Sequence, residues 1–284
     1  MRKEHAFLIM VLVLAINGCA GKTSLPPISS AGSEGELVGK FVWRELLTED
    51  REAVEGFYGE LFGWTFQKTD LPEYKLILHQ NRPIAGMVSA GEDTKDINES
   101  QWVSLLSVPN VDDAVGKVRG SRGQVHVEPV DISPRGRIAV VSDSQGALLG
   151  FVRAANGDPP DRDPSMGEWL WTELWTDDVD KAVAFYGNLV DYEPEKIKEE
   201  RDYTVMRRSG LPRAGIARKE SKEIRPHWVP YVRVDNARAV AERVDALGGT
   251  VVIAPRDDIR DGTVALILDP SGAVLAVQQW PVKG

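Results

Sequence analysis

The feature that most constrains this chain is that it is written twice. Laid against itself at an offset of 128 residues, Trp43-Arg44-Glu45-Leu46-Leu47-Thr48-Glu49-Asp50 falls on Trp171-Thr172-Glu173-Leu174-Trp175-Thr176-Asp177-Asp178. The same register carries Phe57-Tyr58-Gly59 onto Phe185-Tyr186-Gly187 and Leu61 onto Leu189. At an offset of 129, Tyr74 meets Tyr203 and Ala85-Gly86 meets Ala214-Gly215. At 126, Trp102-Val103 meets Trp228-Val229, Pro129 meets Pro255, and Asp143…Gly146 meets Asp269…Gly272. A period of this size is a duplicated domain, not a solenoid of short repeats. The copies span residues 40–154 and 166–284. Between them, residues 155–165 contain Asn-Gly and Pro-Pro steps and read as a linker.

Within each copy the apolar pattern alternates between strand and helix. Phe41–Leu47 reads as a strand. Val54, Phe57, Tyr58 and Leu61 then recur at i, i+3, i+4 and i+7, one face of a helix. Thr48 or Asp50 caps its start and Gly63 its end. The second copy repeats the stripe with Ala182, Phe185, Tyr186 and Leu189. Apolar runs follow at Lys75–Leu78 and Ile84–Val88. A second strand–helix pair comes next, at Trp102–Val108 and Asp112–Arg119. Strands at Ile138–Val141 and Ala147–Val152 flank the turn Asp143-Ser144-Gln145-Gly146, which the second copy repeats as Asp269-Pro270-Ser271-Gly272. The expected fold class is α+β, a tandem duplication of a domain made from paired βαβββ modules.

Composition removes several functions. The formal net charge of −9, without a long basic run, argues against a nucleic-acid partner. A single cysteine forms neither an internal disulfide nor a thiolate metal cluster. That cysteine has another setting. Arg2, Lys3 and His5 precede the apolar run Ala6–Ile16, which is about half a bilayer core in length and too short to span it. A basic flank and a short apolar core have the shape of a secretory signal. Ile16-Asn17-Gly18-Cys19 resembles a bacterial lipobox. The resemblance implies a signal peptide over residues 1–18, lipidation of Cys19, and a flexible tether over 19–39 rich in Ser, Gly and Pro. The implied address is the bacterial cell envelope, anchored to membrane through Cys19. Ala20 follows the cysteine instead of an aspartate, which favours the periplasmic face of the outer membrane where an organism has two membranes.

The pattern W-x-E-L-x-T-x-D, then Phe-Tyr near a helix end, then D-x-x-G before a last strand resembles the vicinal oxygen chelate superfamily. That superfamily includes glyoxalases, bleomycin-resistance proteins and extradiol dioxygenases. The resemblance covers residues 40–154 and 166–282 and implies open, eight-stranded half-barrel domains, each around a cavity. A pseudo-symmetric packing of the two domains, like a homodimer fused into one chain, is also implied. Family enzymes hold a divalent metal through His, Gln or Glu on three strands. Those positions fall here on Trp43 and Trp171, Val103 and Val229, and Gly150 and Ala276, none of which offers a side-chain ligand. Beyond the signal segment the histidines are His79, His126 and His227 alone. No cofactor is therefore expected, and a divalent metal at a displaced site is the alternative.

Alternation along a strand puts Trp169, Trp171, Glu173 and Trp175 on one side in the second copy, and Phe41, Trp43, Glu45 and Leu47 on one side in the first. By the resemblance this side lines the cavity. Carboxylates among indoles suit a small aromatic or cationic ligand. The candidate ligand-binding residues are Trp43, Glu45, Trp169, Trp171, Glu173 and Trp175. Strand tryptophans also commonly fill cores, and a buried glutamate commonly pairs with an arginine such as Arg137 or Arg260. A carboxylate left unpaired in an apolar cavity is a proton acceptor, which permits acid–base catalysis without a metal. Three functions thus stand at the level of sequence: a membrane-anchored binding protein, a metal-dependent lyase or dioxygenase, and a structural envelope lipoprotein.

Overall fold

A computed structural model describes residues 24–29, 35–89, 100–197, 202–219 and 224–280. The signal segment and Cys19 lie outside the described residues. Among the described residues, no helix is long and apolar enough to cross a membrane.

The first copy contains β1 (Phe41–Thr48), α1 (Arg51–Phe62), β2 (Thr65–Lys68), β3 (Tyr74–His79) and β4 (Arg82–Ser89). Then come β5 (Gln101–Ser107), α2 (Val111–Gly120), β6 (Gln124–Ile132), β7 (Gly136–Ser142) and β8 (Leu148–Ala154). The second copy repeats the order as β9 (Trp169–Thr176), α3 (Val179–Val190), β10 (Glu193–Lys196), β11 (Tyr203–Arg208) and β12 (Leu211–Arg218). It ends with β13 (His227–Val234), α4 (Ala237–Val244), β14 (Thr250–Ile253), β15 (Val264–Leu268) and β16 (Val274–Gln279). The strands form two eight-stranded mixed sheets, ordered β2-β3-β4-β1-β5-β8-β7-β6 and β10-β11-β12-β9-β13-β16-β15-β14. This is the duplicated α+β architecture that the repeat predicts. In each module the first strand runs parallel to the last, so Glu45 lies opposite Gly86 and Glu173 opposite Gly215.

The helices begin and end where local chemistry requires. The Asp50 carboxylate accepts from the Ala53 N–H, satisfying a first-turn donor of α1. Gly63 closes the same helix at φ 69°, a left-handed conformation in which a side chain is disfavoured. Asp178 caps α3 through Lys181, and Asn110 and Asn236 cap α2 and α4. Phe62, rather than Leu61, completes the buried stripe of α1 with Val54, Phe57 and Tyr58. The short strands β2 and β10 carry no hydrophobic signature, since β10 is exposed along its whole length.

By their contacts the residues form two compact units, each drawing elements from both copies. Of the described residues, one holds 24–29, 35–43, 103–161, 172–197, 202–219 and 224–228, and the other 44–89, 100–102, 162–171 and 229–280. In the first unit Leu106, Val115, Val118 and Phe151 share a core with Leu174, Phe185, Tyr186, Ile216 and Trp228. In the second, Leu46, Val54, Phe57, Tyr58 and Trp102 share one with Val232, Val244, Ile267 and Leu275.

A buried polar chain crosses each core. In the first unit Trp228 Nε1 donates to Tyr186 Oη (3.0 Å), and Tyr186 donates to Asp143 Oδ2 (3.0 Å). The other Asp143 oxygen accepts from the Gln145 and Ala147 N–H groups and shapes the turn before β8. In the second unit Trp102 Nε1 donates to Tyr58 Oη (2.9 Å) and Tyr58 to Asp269 Oδ2 (3.0 Å). There Asp269 Oδ1 accepts from the N–H groups of Ser271 and Ala273. Each tyrosine therefore bonds the turn aspartate contributed by the other copy. Burial pushes both tyrosines well above the usual phenol range, and the neighbouring carboxylates add to the effect. The hydroxyls stay protonated and donate.

The linker is anchored to the second unit at Glu168, which is 2% exposed. Its carboxylate accepts from Arg162 Nη1 (2.6 Å), Arg82 Nη2 (2.6 Å) and the Ser165 N–H (2.6 Å). Burial alone would raise its pKa; the Arg162 hydrogen bonds, the Ser165 N–H and the arginine charges outweigh that and bring it down to about 2.

Two outcomes follow. Tyr58→Phe and Tyr186→Phe each leave a carboxylate oxygen and an indole N–H buried without their partner, so each lowers unfolding free energy by about 1–3 kcal/mol in urea titrations. Equal stability of either variant and the parent contradicts this role. Because the Glu168 pKa is depressed from 4.5 to about 2, its stabilisation is present above 4.5 and fades as pH falls toward 2. Glu168→Gln is then destabilised at neutral pH, and its deficit relative to the parent shrinks across that window.

Candidate functional site

A strand between two environments sorts its side chains by parity. In β9, Leu174 faces the helix side, where it packs with Phe185, Tyr186 and Ile216. Glu173 and Trp175 therefore lie on the opposite face. In β13, Trp228 faces the same core, so His227 lies on the opposite face too. The open face of the first unit accordingly brings Glu173, Trp175 and His227 together. Glu173 is 2% exposed and accepts from Trp175 Nε1 at 2.8 Å. The Trp175 ring, partly exposed, lies 6.1 Å from the His227 ring between centroids, at 53°. Trp171, also partly exposed, belongs to the other unit.

In the second unit the equivalent carboxylate has a different partner. Glu45, 4% exposed, accepts from the Tyr74 hydroxyl on β3 at 3.1 Å. Gly86 makes this possible, since a Cβ there would stand 2.0 Å from both Glu45 Oε2 and Tyr74 Oη. Tyr74 also lines an open cleft of ≈ 540 Å³ with Arg51, Glu55, Leu71, Pro72 and Lys75. Of the charges there, Lys75 is engaged with Glu55 and Arg51 with the Pro72 carbonyl.

The remaining sequence candidates sit elsewhere. Trp169 joins an aromatic cluster in the second unit, 5.1 Å from both Trp64 and Trp102, and donates through Nε1 to the Ile84 carbonyl. The Arg44 guanidinium lies over its ring at 4.7 Å, and burial brings that guanidinium down to about 9. Trp43, in the first unit, is 1% exposed beneath the Arg135 guanidinium at 4.8 Å. The six candidates thus do not form one cluster: Glu45, Trp169 and Trp171 belong to one unit, Glu173, Trp175 and Trp43 to the other. The arginine expected to neutralise a glutamate is engaged otherwise, because Arg137 bonds Asp112 and Asp131. Arg260 stands over Tyr231. The sequence alone singles out neither Tyr74 nor His227 for a site; the recurrence of Tyr74 at Tyr203 is the signal for the first, and no repeat partner marks the second.

The donor set does not fit the divalent metal of the resembling enzymes. The Trp43 position, where a first ligand is expected, carries the buried Arg135 cation, which repels a second cation. Val103 and Val229 are buried aliphatics, and a Cβ on Gly150 would press on Leu105. Among the described residues no group of three His, Cys, Asp or Glu side chains is placed to hold a metal. His126 pairs with Ser142, and His79 stands 3.8 Å from Glu168 beside two arginines.

Residues 169–277 match the Glyoxalase/Bleomycin resistance protein/Dioxygenase superfamily. A Mycobacterium tuberculosis protein named "Putative glyoxylase CFP32" is 29% identical over 241 residues, covering 83% of this chain and 92% of that protein. Anthracycline biosynthesis protein DnrV of Streptomyces peucetius is 28% identical over 257 residues, with 84% and 92% covered. Among solved structures, the Mn(II)-bound glyoxalase from Novosphingobium aromaticivorans superposes with a TM-score of 0.60 at 14% identity, over 85% of this chain and 82% of that one. Homoprotocatechuate 2,3-dioxygenase from Arthrobacter globiformis gives 0.58 at 14%, over 89% and 82%. At that identity the structures speak for the fold alone. Fold, family match and relatives agree in one direction: the second copy matches the glyoxalase/bleomycin resistance/dioxygenase superfamily, and the chain as a whole is similar to proteins named for glyoxylase and anthracycline biosynthesis.

Proposed function

We propose that this protein is an envelope-anchored binding protein that takes a small aromatic or cationic molecule on the open face of its second domain, without a bound metal. The observation that carries the reading is Glu173. It is a nearly inaccessible carboxylate on the strand face turned away from the hydrophobic core, and its described side-chain bond comes from the partly exposed Trp175 indole. Indole faces beside a carboxylate attract flat rings and cations, by stacking and by charge. The tryptophan, valine, glycine and alanine at the expected ligand positions support a site that works without Lewis-acid chemistry. The relatives named for anthracycline biosynthesis point toward fused-ring aromatics as a ligand class. Anchoring rests on Cys19 and the basic–apolar segment before it.

Thermal-shift screening of the full chain against aromatic amines and polycyclic aromatics is expected to return binders. Glu173→Gln then weakens their affinity about 10–100-fold while unfolding remains cooperative. Unchanged affinity in this variant removes this pocket. For the anchor, Cys19→Ala shifts the protein from the membrane to the soluble fraction after cell disruption. Retention in the membrane by the variant contradicts lipidation as the tether.

A further inference from the structure

We infer that His227 is the hydrogen-bond acceptor of this second-domain pocket, and that it selects aromatic ligands bearing a ring hydroxyl. The inference rests on the reading of the pocket given above and narrows its ligand.

The imidazole is held in one tautomer. Its Nδ1 stands 2.7 Å from the Arg225 carbonyl, which only accepts, so Nδ1 carries the hydrogen and Nε2 the lone pair. That Nε2 is buried and has no hydrogen-bond partner among the described residues. Burial holds the ring's pKa below its usual value; the Arg225 carbonyl partly opposes this, and the Lys219 charge reinforces it. His227 is therefore neutral at pH 7 and presents an acceptor. A buried acceptor without a donor is costly, and a ligand that supplies a donor recovers that cost on binding.

The setting decides which donor. Lys219 places a positive charge near the ring, held there by Asp177 at 2.9 Å and the Ile224 carbonyl at 2.6 Å. An ammonium group at Nε2 meets that charge, whereas a neutral hydroxyl does not. The ring face beside His227 is the indole of Trp175, whose N–H is committed to Glu173. Trp175 is partly exposed and Nε2 is not, so a ligand ring that reaches Nε2 enters along this indole and packs against its exposed side. A flat ring with one hydroxyl satisfies both requirements.

The probes are 1-naphthol and 1-methoxynaphthalene, which share a ring system and differ in the donor. Binding to the full chain is followed by calorimetry or by tryptophan fluorescence. The expected result is about tenfold tighter binding of 1-naphthol, the fold-change of one neutral hydrogen bond. His227→Phe removes this preference and leaves both probes at the affinity of the ether. His227→Gln, which keeps an acceptor, retains part of it. Equal binding of the two probes by the parent protein overturns the role of His227 while leaving the pocket standing. A preference that survives in His227→Phe overturns it as well. If neither probe binds the parent, the pocket itself fails, and the inference with it.

Discussion

The hydroxyl of a helix tyrosine, held between an indole N–H and the carboxylate of a turn, is the interaction on which both cores depend. In each unit one side chain of this chain comes from a helix, one from a central strand and one from a hairpin turn. The aspartate is divided between two tasks, one oxygen shaping its own turn and the other accepting from the tyrosine. None of these groups meets water, and each is costly to leave unsatisfied. Burial pushes Asp143 and Asp269 upward, and the turn N–H groups and the tyrosine hydroxyls oppose that push. The turn, the helix and the strand are therefore fixed together or not at all. Because Tyr58 bonds Asp269 and Tyr186 bonds Asp143, neither copy of the sequence satisfies its own helix. Duplication here supplies a partner, and each copy's polar chain closes with a residue from the other.

Fixing one face of a strand fixes the other by alternation. Once Leu174 and Trp228 are committed to the helix side, Glu173, Trp175 and His227 have no other place than the open face. The core interaction thus positions the candidate site without touching it. The cap contacts reinforce the arrangement. Gln145, in the turn built by Asp143, donates to the Asp178 carbonyl (2.9 Å) and accepts from the Asp178 N–H (2.9 Å), which ties that turn to the start of α3. These two bonds hold the distant turn against the residue that leads from β9 into α3.

Most of this scaffold was legible in the sequence because it depends on local chemistry and on repetition. The Asp50 cap, the Gly63 stop, the amphipathic stripe around Tyr58 and the D-x-x-G turn all read from neighbouring residues. The partners of Tyr58 and Tyr186 did not, since a bond across 211 or 43 positions leaves no periodic trace. Strand alternation alone puts Trp169 on the side of Glu173. Alternation cannot say what lies opposite, and Trp64 and Trp102 claim Trp169 for a packed aromatic cluster. Glu45 and Glu173 were legible as buried carboxylates; their donors were not, because the tyrosine and the indole that serve them sit at different offsets in the two copies. His227 was the least legible, its significance lying in an orphaned nitrogen and a carbonyl two residues away.

That difference between the copies is where the physics of fold and function separate. The Trp–Tyr–Asp chain is the same in both units, in residue type and in length to within 0.1 Å. The open faces are not. Glu45 is closed off by Tyr74 from the neighbouring strand, with Gly86 leaving room for only those two side chains. Glu173 is satisfied by an indole two residues along its own strand, and that indole is partly exposed. Breaking the first pair disrupts a packed interior, while moving the second displaces a surface ring. Among the described residues, the second copy thus sets a buried carboxylate beside a partly exposed ring, and the first sets it beside a buried one. The shared interaction maintains the scaffold in both copies, and the divergent one is what sets the proposed pocket apart.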